Sequence, residues 1–342
     1  MERASINLSS MLHESGHQIT HFTVLKQKHF FELPSGIRLV EPENFNVKSL
    51  SIFKTMQWIR KDVRQINPDC IIVFNKFYAA LVSIALLFTS SKIIISERSS
   101  PLYNWPLKFK IINKIAFMLN TPTGVICQTN IATEYQKKYY SSKSRMKTIP
   151  NILRDVKTFT DIKREKFVLG VGRLDEDLKG IDRLIDAFSK IKNKEWKLVL
   201  AGNDDKAQFL KDQVADLNIS ERVSFLGPIK NIDEQYAKAG IFVIPSRSEG
   251  FPNALVEAMA AGLPCISFDF VAGPRDIIEN NVNGIIVEND NIVAMANAID
   301  NLIADGDKRN QLSEQSIKIK DRLSANYIKK SYEDFIIECL AN

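Results

Sequence analysis

Strand-length apolar runs alternate with segments of helical period along the whole chain. In the first half the pairs are "QITHFTV" then "SLSIFKTMQWIRKDVRQI", "CIIVF" then "YAALVSIALLF", "KIIIS" then "PLKFKIINKIAFML", and "GVICQT" then "IATEYQKKYY". Parallel strands need a crossover, and a helix supplies it, so this alternation predicts a parallel sheet with helices on both faces. The polar stretch "KTIPNILRDVKTFTDIKREK" (147–166), with Pro150 and Asn151 and no helical stripe, interrupts the pattern. The pattern then restarts with "KFVLGVG", "GIDRLIDAFSKI", "WKLVLAG", "DKAQFLKDQVADL", "RVSFLG", "IDEQYAKA", "IFVIPS", "NALVEAMAAG" and "PCISFD". Two doubly wound α/β domains, 1–150 and 151–320, follow from it, with a helical end over roughly 290–340 and no further strand. Two such domains facing a central crevice would place the carboxyl ends of both sheets on it, where open α/β sheets bind ligands.

A length of 342 residues suits two domains. With 45% hydrophobic and 25% charged residues and no apolar run of membrane-spanning length, the composition is that of a soluble globular protein. The run "YAALVSIALLF" (78–88) reads as a buried helix leading into a strand, and no secretory signal is expected, since no basic and then apolar segment opens the sequence. Cys70, Cys127, Cys265 and Cys339 are scattered and read as reduced thiols of a cytosolic protein.

Charge divides unevenly. Residues 1–150 hold 20 Lys and Arg against 9 Asp and Glu, a net +11, while the remainder holds 26 against 31, a net −5. The basic half is either ordinary solvated surface or a face for an anionic partner, such as a phospholipid headgroup layer or a phosphate-bearing acceptor. Nucleic acid is not expected, because no nucleic-acid motif accompanies the charge.

The densest candidate chemistry is "SRSEGFPNALVEAMAAGLP" (246–264). After the strand "IFVIPS", Glu249 and Gly250 lead to Pro252, a residue favoured at a first helical position, and a helix follows. The amides of such a helix start attract an anion, and a diphosphate suits it. Glu257 lies about five residues into the helix, so the two acids flank the anion site rather than pair. There they can accept hydrogen bonds from a sugar at one end and a ribose at the other, the layout of a sugar nucleotide. The alternatives are a surface loop acid and a helix-face acid. A second cluster, "VLGVGRLDEDLKG" (168–180), places Arg173 and Lys179 after a strand, where two cations can neutralise a departing diphosphate; solvent exposure is the alternative. Neither GxGxxG nor a P-loop occurs there, so nicotinamide and ATP sites lack their fingerprint.

These segments, with "VLAGNDD", "FLGPIKNIDEQYAKAGIFVIPS" and "GPRDIIENNVNGIIVEND", resemble the retaining GT-B glycosyltransferases of the glycosyltransferase 4 (glycosyl transferases group 1) family. The likeness is dense over 166–305 and looser before it, and the seven-residue gap between Glu249 and Glu257 is the family's hallmark. The resemblance implies a bacterial enzyme that moves a hexose or N-acetylhexosamine from a UDP-sugar, with retention and no essential metal or other cofactor. The acceptor would be a polysaccharide precursor or an undecaprenyl-diphosphate-linked oligosaccharide. By motif match, Glu249 faces the donor sugar, Glu257 the ribose hydroxyls, and Arg173 with Lys179 the diphosphate. Gly172, Gly250, Phe251, Pro252, Asn253 and Leu255 complete the donor site, although Pro252 has no N–H to give. The first domain would bind acceptor, the second the nucleotide sugar, and a C-terminal helix, 321–342, would pack back toward the first. The leaving phosphate itself would take the acceptor's proton. An anionic membrane surface on the cytoplasmic face is the expected location.

Two departures from the family qualify this. Relatives carry a histidine where this chain has "IIISERSSP", and all four histidines here (His13, His17, His21, His29) precede residue 30. Arg98, with Glu97, is expected on the acceptor side, or else in a loop salt bridge. His13, His17 and His21 imitate a metal spacing, but Gly16 interrupts the helix. Relatives also begin with a strand and a glycine-rich loop before a helix like the one at Met1. The expectation is a start internal to the coding sequence or a shortened form, in which case a sugar-nucleotide-binding pseudoenzyme or partner subunit is the alternative. A UDP-sugar epimerase or a phosphorylase on the same architecture leaves the spacing of the two glutamates unaccounted for.

Overall fold

The computed structural model describes residues 2–24, 32–42, 52–159, 161–175, 177–203 and 205–341; Met1 and His29 lie outside them. The chain divides into two units, Met1–Ile152 with Ala325–Asn342, and Leu153–Ser324. The first runs α1 (Glu2–Glu14), β1 (Thr20–Phe22), β2 (Arg38–Val40), α2 (Ile52–Ile66), β3 (Cys70–Phe74), α3 (Lys76–Ala85), β4 (Lys92–Ser96), α4 (Leu107–Leu119), β5 (Gly124–Cys127), α5 (Asn130–Lys137) and β6 (Arg145–Thr148). Among the described residues β1 pairs with β2, and β3 to β6 form a second parallel sheet in sequence order.

Side-chain caps set two of its helix starts. Asn75 accepts the Phe77 amide at 2.8 Å to begin α3, and Thr129 accepts the Ala132 amide at 3.1 Å to begin α5. The edge strand β6, "RMKT", is absent from the pattern of apolar runs because its alternation sets exposed against half-buried positions, with Arg145 and Lys147 outward. The run ending at Phe88 also departs from expectation: α3 stops at Ala85 and Phe88 stands 97% exposed.

The second unit runs β7 (Phe167–Val171), α6 (Ile181–Ser189), β8 (Lys197–Ala201), α7 (Gln208–Asp216), β9 (Val223–Phe225), α8 (Ile232–Lys238), β10 (Ile241–Ile244), α9 (Asn253–Ala260), β11 (Cys265–Phe268), α10 (Pro274–Ile277), β12 (Ile285–Val287), α11 (Ile292–Ala304), α12 (Gly306–Ser316) and α13 (Ile319–Arg322). Its six parallel strands lie in the order β12-β11-β10-β7-β8-β9. β10 and β11 are buried along their full length, which is why they read as continuous apolar runs. The short β12 lies at one edge, past the last strand that the pattern predicts.

The last helix, α14 (Ala325–Leu340), belongs to the first unit and packs on α1 and β4. Its Cys339 sits so close to β5 that a Cβ at Gly124 would lie 2.7 Å from the Cys339 sulfur. All four cysteines are free; burial pushes the Cys70 and Cys339 thiols up to about 11 and that of Cys127 to about 12. Such thiols stay protonated and inert at neutral pH.

The polar stretch before β7 is strapped rather than loose. Arg164 gives Nη1 to the carbonyls of Tyr236 (2.6 Å) and Ala239 (3.0 Å), and Nη2 to those of Ala261 (2.9 Å) and Gly262 (3.0 Å). One guanidinium thereby closes the carboxyl ends of α8 and α9, where helices carry orphan carbonyls and partial negative charge. Arg164→Ala is expected to lower stability by about 2 to 3 kcal/mol, and Arg164→Lys to recover only part of it. Urea unfolding checks this; equal stability of Arg164→Ala and wild type would refute the strap.

Candidate functional site

Strand order in the second unit reverses between β7 and β10. Connections leaving these two strands depart to opposite sides, so their carboxyl ends open a crevice, the place where such sheets bind ligands. The loop after β7 carries Gly172, Arg173 and Lys179; the loop after β10 carries Ser246, Glu249 and Gly250. Gly180 joins them: its φ is +63°, and a Cβ there would lie 2.2 Å from the Pro245 carbonyl oxygen. Only glycine allows that approach. Gly202 on the loop after β8 is equally confined, because its Cβ would fall 1.5 Å from the Gly172 carbonyl oxygen.

Lys179 and Glu249 meet across this reversal. Lys179 Nζ donates to Glu249 Oε1 at 2.8 Å and Oε2 at 3.0 Å, and the Ser246 hydroxyl donates to Oε1 at 2.8 Å. Both side chains are mostly buried, so the pair is charge-neutral in a low-dielectric place. Gly172 lies against the Lys179 stem: a Cβ at 172 would meet Lys179 Cδ at 3.4 Å, an ordinary contact. Its own amide goes to the Ala201 carbonyl at 3.0 Å and is not offered to a ligand. Arg173 is exposed on the same loop. Nearby, Arg247 clamps Asp182 through both guanidinium nitrogens, at 2.7 and 2.5 Å, fixing the loop to the start of α6.

The helix start differs in detail from the sequence expectation. α9 begins at Asn253, with Pro252 as its cap rather than its first helical residue. The Asn253 amide donates to the Phe251 carbonyl at 3.0 Å, so it does not point outward as a phosphate donor would. Phe251, Pro252 and Leu255 are buried in the core and meet a ligand, if at all, through backbone.

Glu257 is held by residues the sequence did not single out. Its Oε2 accepts from Arg154 Nη2 at 3.0 Å and from the Tyr236 hydroxyl at 3.4 Å. The same guanidinium pairs with Asp233, Nη1 to Oδ2 at 3.0 Å and Nη2 to Oδ1. Burial pushes the Asp233 carboxyl up, but the Arg154 bonds and the Lys157 amide outweigh it and hold it below its usual range. Arg154 shows the converse: burial disfavours its charge, and Asp233 with Glu257 more than restores it.

Glu97 and Arg98 do not face outward in the first unit. The Glu97 carboxyl is 3% exposed; Oε1 accepts the Ser99 amide at 3.2 Å, and Oε2 is buried without a partner. Burial raises its pKa, while the buried Lys76 ammonium works the other way. Arg98 donates to the Ser96 hydroxyl at 2.9 Å, to Asn151, and to the Tyr332 hydroxyl at 2.6 Å, and lies over the Phe74 ring at 5.2 Å. These bonds tie it within the first unit, to β4, Asn151 and α14, and none of them is to a carboxylate. Among the described residues no group of three His, Cys, Asp or Glu could hold a metal. His21 accepts or donates to Ser9 at 3.0 Å and His17 pairs with Glu333 at 3.5 Å.

A family model described as Glycosyl transferases group 1 matches residues 154–319, and one described as Glycosyltransferase Family 4 matches residues 1–153. The chain belongs to the group 1 glycosyltransferases. This glycosyltransferase is 24% identical, over 98% of its length and 94% of the relative's, to a Campylobacter jejuni protein named as an alpha-1,4-N-acetyl-D-galactosaminyltransferase for a PP-undecaprenol-linked glycan. It is 22% identical to the amylovoran biosynthesis glycosyltransferase AmsD of Erwinia amylovora, over 98% of its length and 95% of the relative's. Among solved structures it shares its fold with Anabaena HepE in complex with UDP and glucose, at a TM-score of 0.79 and 18% identity, covering 98% of this chain and 95% of that one. Parallel sheets in two Rossmann-like domains, the GT-B fold, are thus common to this glycosyltransferase and its structural neighbours.

The Arg154 cluster generates a pH test. A carboxyl whose folded pKa is depressed contributes stability above its ordinary value near pH 4 and loses it as pH falls toward the folded value. Arg154→Ala should therefore cost about 3 kcal/mol at pH 7, and the gap to wild type should narrow below about pH 4. Urea unfolding at several pH values measures it; a gap that does not change with pH would contradict the assignment.

Proposed function

We propose that the chain transfers a hexose or N-acetylhexosamine from a UDP-sugar, with retention, to a polysaccharide precursor or an undecaprenyl-diphosphate-linked glycan. The observation that carries this reading is the Lys179–Glu249–Ser246 cluster at the reversal between β7 and β10. A cation and a carboxylate placed there can divide a sugar nucleotide between them. Lys179 leaves Glu249 for the diphosphate and, with Arg173, neutralises the charge that grows on it as the glycosidic bond breaks. Glu249, released, accepts from the sugar hydroxyls.

Glu257, oriented by Arg154 and Tyr236, accepts from the ribose. The two cations supply the charge neutralisation for which other transferases use a divalent ion, so no metal is needed. The departing phosphate oxygen takes the acceptor hydroxyl's proton on the face it leaves. The UDP and glucose held by the Anabaena neighbour and the undecaprenol-linked acceptor named for the Campylobacter relative support the substrate classes. Such an acceptor would place the protein at the cytoplasmic face of a membrane, as a peripheral enzyme.

The test is a panel of UDP-glucose, UDP-galactose, UDP-N-acetylglucosamine and UDP-N-acetylgalactosamine with bacterial membrane lipid as acceptor, in the presence of EDTA. Transfer is expected with one donor, giving a product of unchanged anomeric configuration by NMR. Lys179→Ala and Glu249→Ala should each cut turnover by about two orders of magnitude, and Glu257→Ala should mainly raise the donor KM. UDP binding without any transfer or hydrolysis would overturn the reading in favour of a binding subunit.

A further inference from the structure

One face of α4 turns apolar side chains away from the protein. Leu107, Ile111, Ile115 and Met118 recur at helical spacing with Ile112 and Leu119 beside them, and all six are exposed, Leu107 and Met118 to 73% and 72%. The buried positions of this helix, Asn113, Ala116 and Phe117, form a different stripe, and α4 packs on α3 with Phe109 edge-on to Phe77 at 5.1 Å. The helix thus has two apolar sides, one spent on the core and one unspent.

Three further features accompany the outward side. Exposed Lys108, Lys110 and Lys114 lie among its apolar residues. Tyr103, Trp105 and Phe109 form an edge-to-face chain at the helix's amino end, with centroids 4.9 and 6.4 Å apart. Aromatic rings with a polar atom favour the boundary between hydrocarbon and water. At the other end Phe88 stands fully exposed with φ +61°, a backbone region that bulky residues seldom adopt. The turn that holds it is rigid: Arg60 donates to the Ala85 and Leu87 carbonyls at 2.8 Å each, and Asn120, just past α4, donates to the Ser83 carbonyl at 2.9 Å. These ties hold a strained, exposed residue in place.

Charge selects the occupant. Between Asp69 and Glu134 the sequence contains one acid, Glu97, and its carboxyl is buried. Residues 70–133 therefore expose lysine and apolar surface with no counter-charge of their own. Two copies of such a face repel each other, whereas an anionic bilayer answers both the lysines and the apolar stripe.

We propose that α4, with Tyr103 and Trp105 at one end and Phe88 at the other, is the face by which this glycosyltransferase lies on an anionic lipid surface. The apolar stripe enters the headgroup layer and the lysines meet the lipid phosphates. The inference rests on the lipid-linked acceptor reading only for the choice of a bilayer as partner.

The full-length protein is tested by flotation with vesicles of equimolar phosphatidylglycerol and phosphatidylcholine, and with phosphatidylcholine alone. Wild type should float with the anionic vesicles only, and less as salt rises. Ile111→Asp with Ile115→Asp, Phe88→Asn, and Lys108→Glu with Lys110→Glu and Lys114→Glu are expected to weaken partitioning, the double and triple variants about tenfold or more. Unchanged near-UV circular dichroism and UDP affinity would show that the variants remain folded. Undiminished flotation of the double and triple variants would overturn the proposal. So would a wild type that does not float but self-associates in sedimentation velocity through a contact that Ile111→Asp with Ile115→Asp abolishes. UDP binding is measured separately on the same samples, so loss of the donor-site reading and loss of the docking reading give different results.

Discussion

The close approach of two backbone loops at the reversal between β7 and β10 governs the second unit. Gly180 lets the start of α6 rest against the Pro245 carbonyl, and Arg183 seals that contact by donating to the same oxygen at 2.6 Å. From that seam Lys179 and Glu249 extend far enough to meet. A methyl group at position 180 would push the loops apart before any ligand arrived. The geometry of charge at the site is thus a consequence of a steric permission at the residue next to Lys179.

Around this seam, arginines carry much of the fixing. Arg154 ties the segment before β7 to α8 and α9 through Asp233 and Glu257, Arg164 closes the ends of the same two helices, and Arg247 locks Asp182. A planar guanidinium with five donors can satisfy several carbonyls or carboxylates at once, which lysine cannot do. The acids of the second unit are to this extent neutralised locally, whereas the first 150 residues carry a net +11.

What could be read from the sequence depended on distance along the chain. Strands β7 to β11 of the second sheet were legible as strand-length apolar runs, most plainly the buried β7, β10 and β11, whereas the edge strand β12 was not. Lys179 and Glu249 were legible because each lies in the segment that joins a strand to the next helix. Arg154, Asp233 and Tyr236 were not, since their partners lie 79, 103 and 21 residues off and the polar stretch around Arg154 has no period. The strand β6 was hidden by its own edge position, with Arg and Lys facing outward. Glu97 and Arg98 looked like an open loop pair; that one is sealed and the other tied to α14 follows only from packing. The exposure of Phe88 was masked by its place at the end of an apolar run.

The Lys179–Glu249 pair has a bearing on turnover. The Glu249 carboxylate occupies the Lys179 ammonium. Under the proposed function, a donor bearing both diphosphate and sugar would replace that bond twice over, giving the lysine an anion and the glutamate a set of hydroxyls. Once the sugar had gone, the nucleotide would hold only the lysine, and the glutamate would lack a partner in a partly buried place. Re-forming the internal pair would then compete with the spent nucleotide and favour product release.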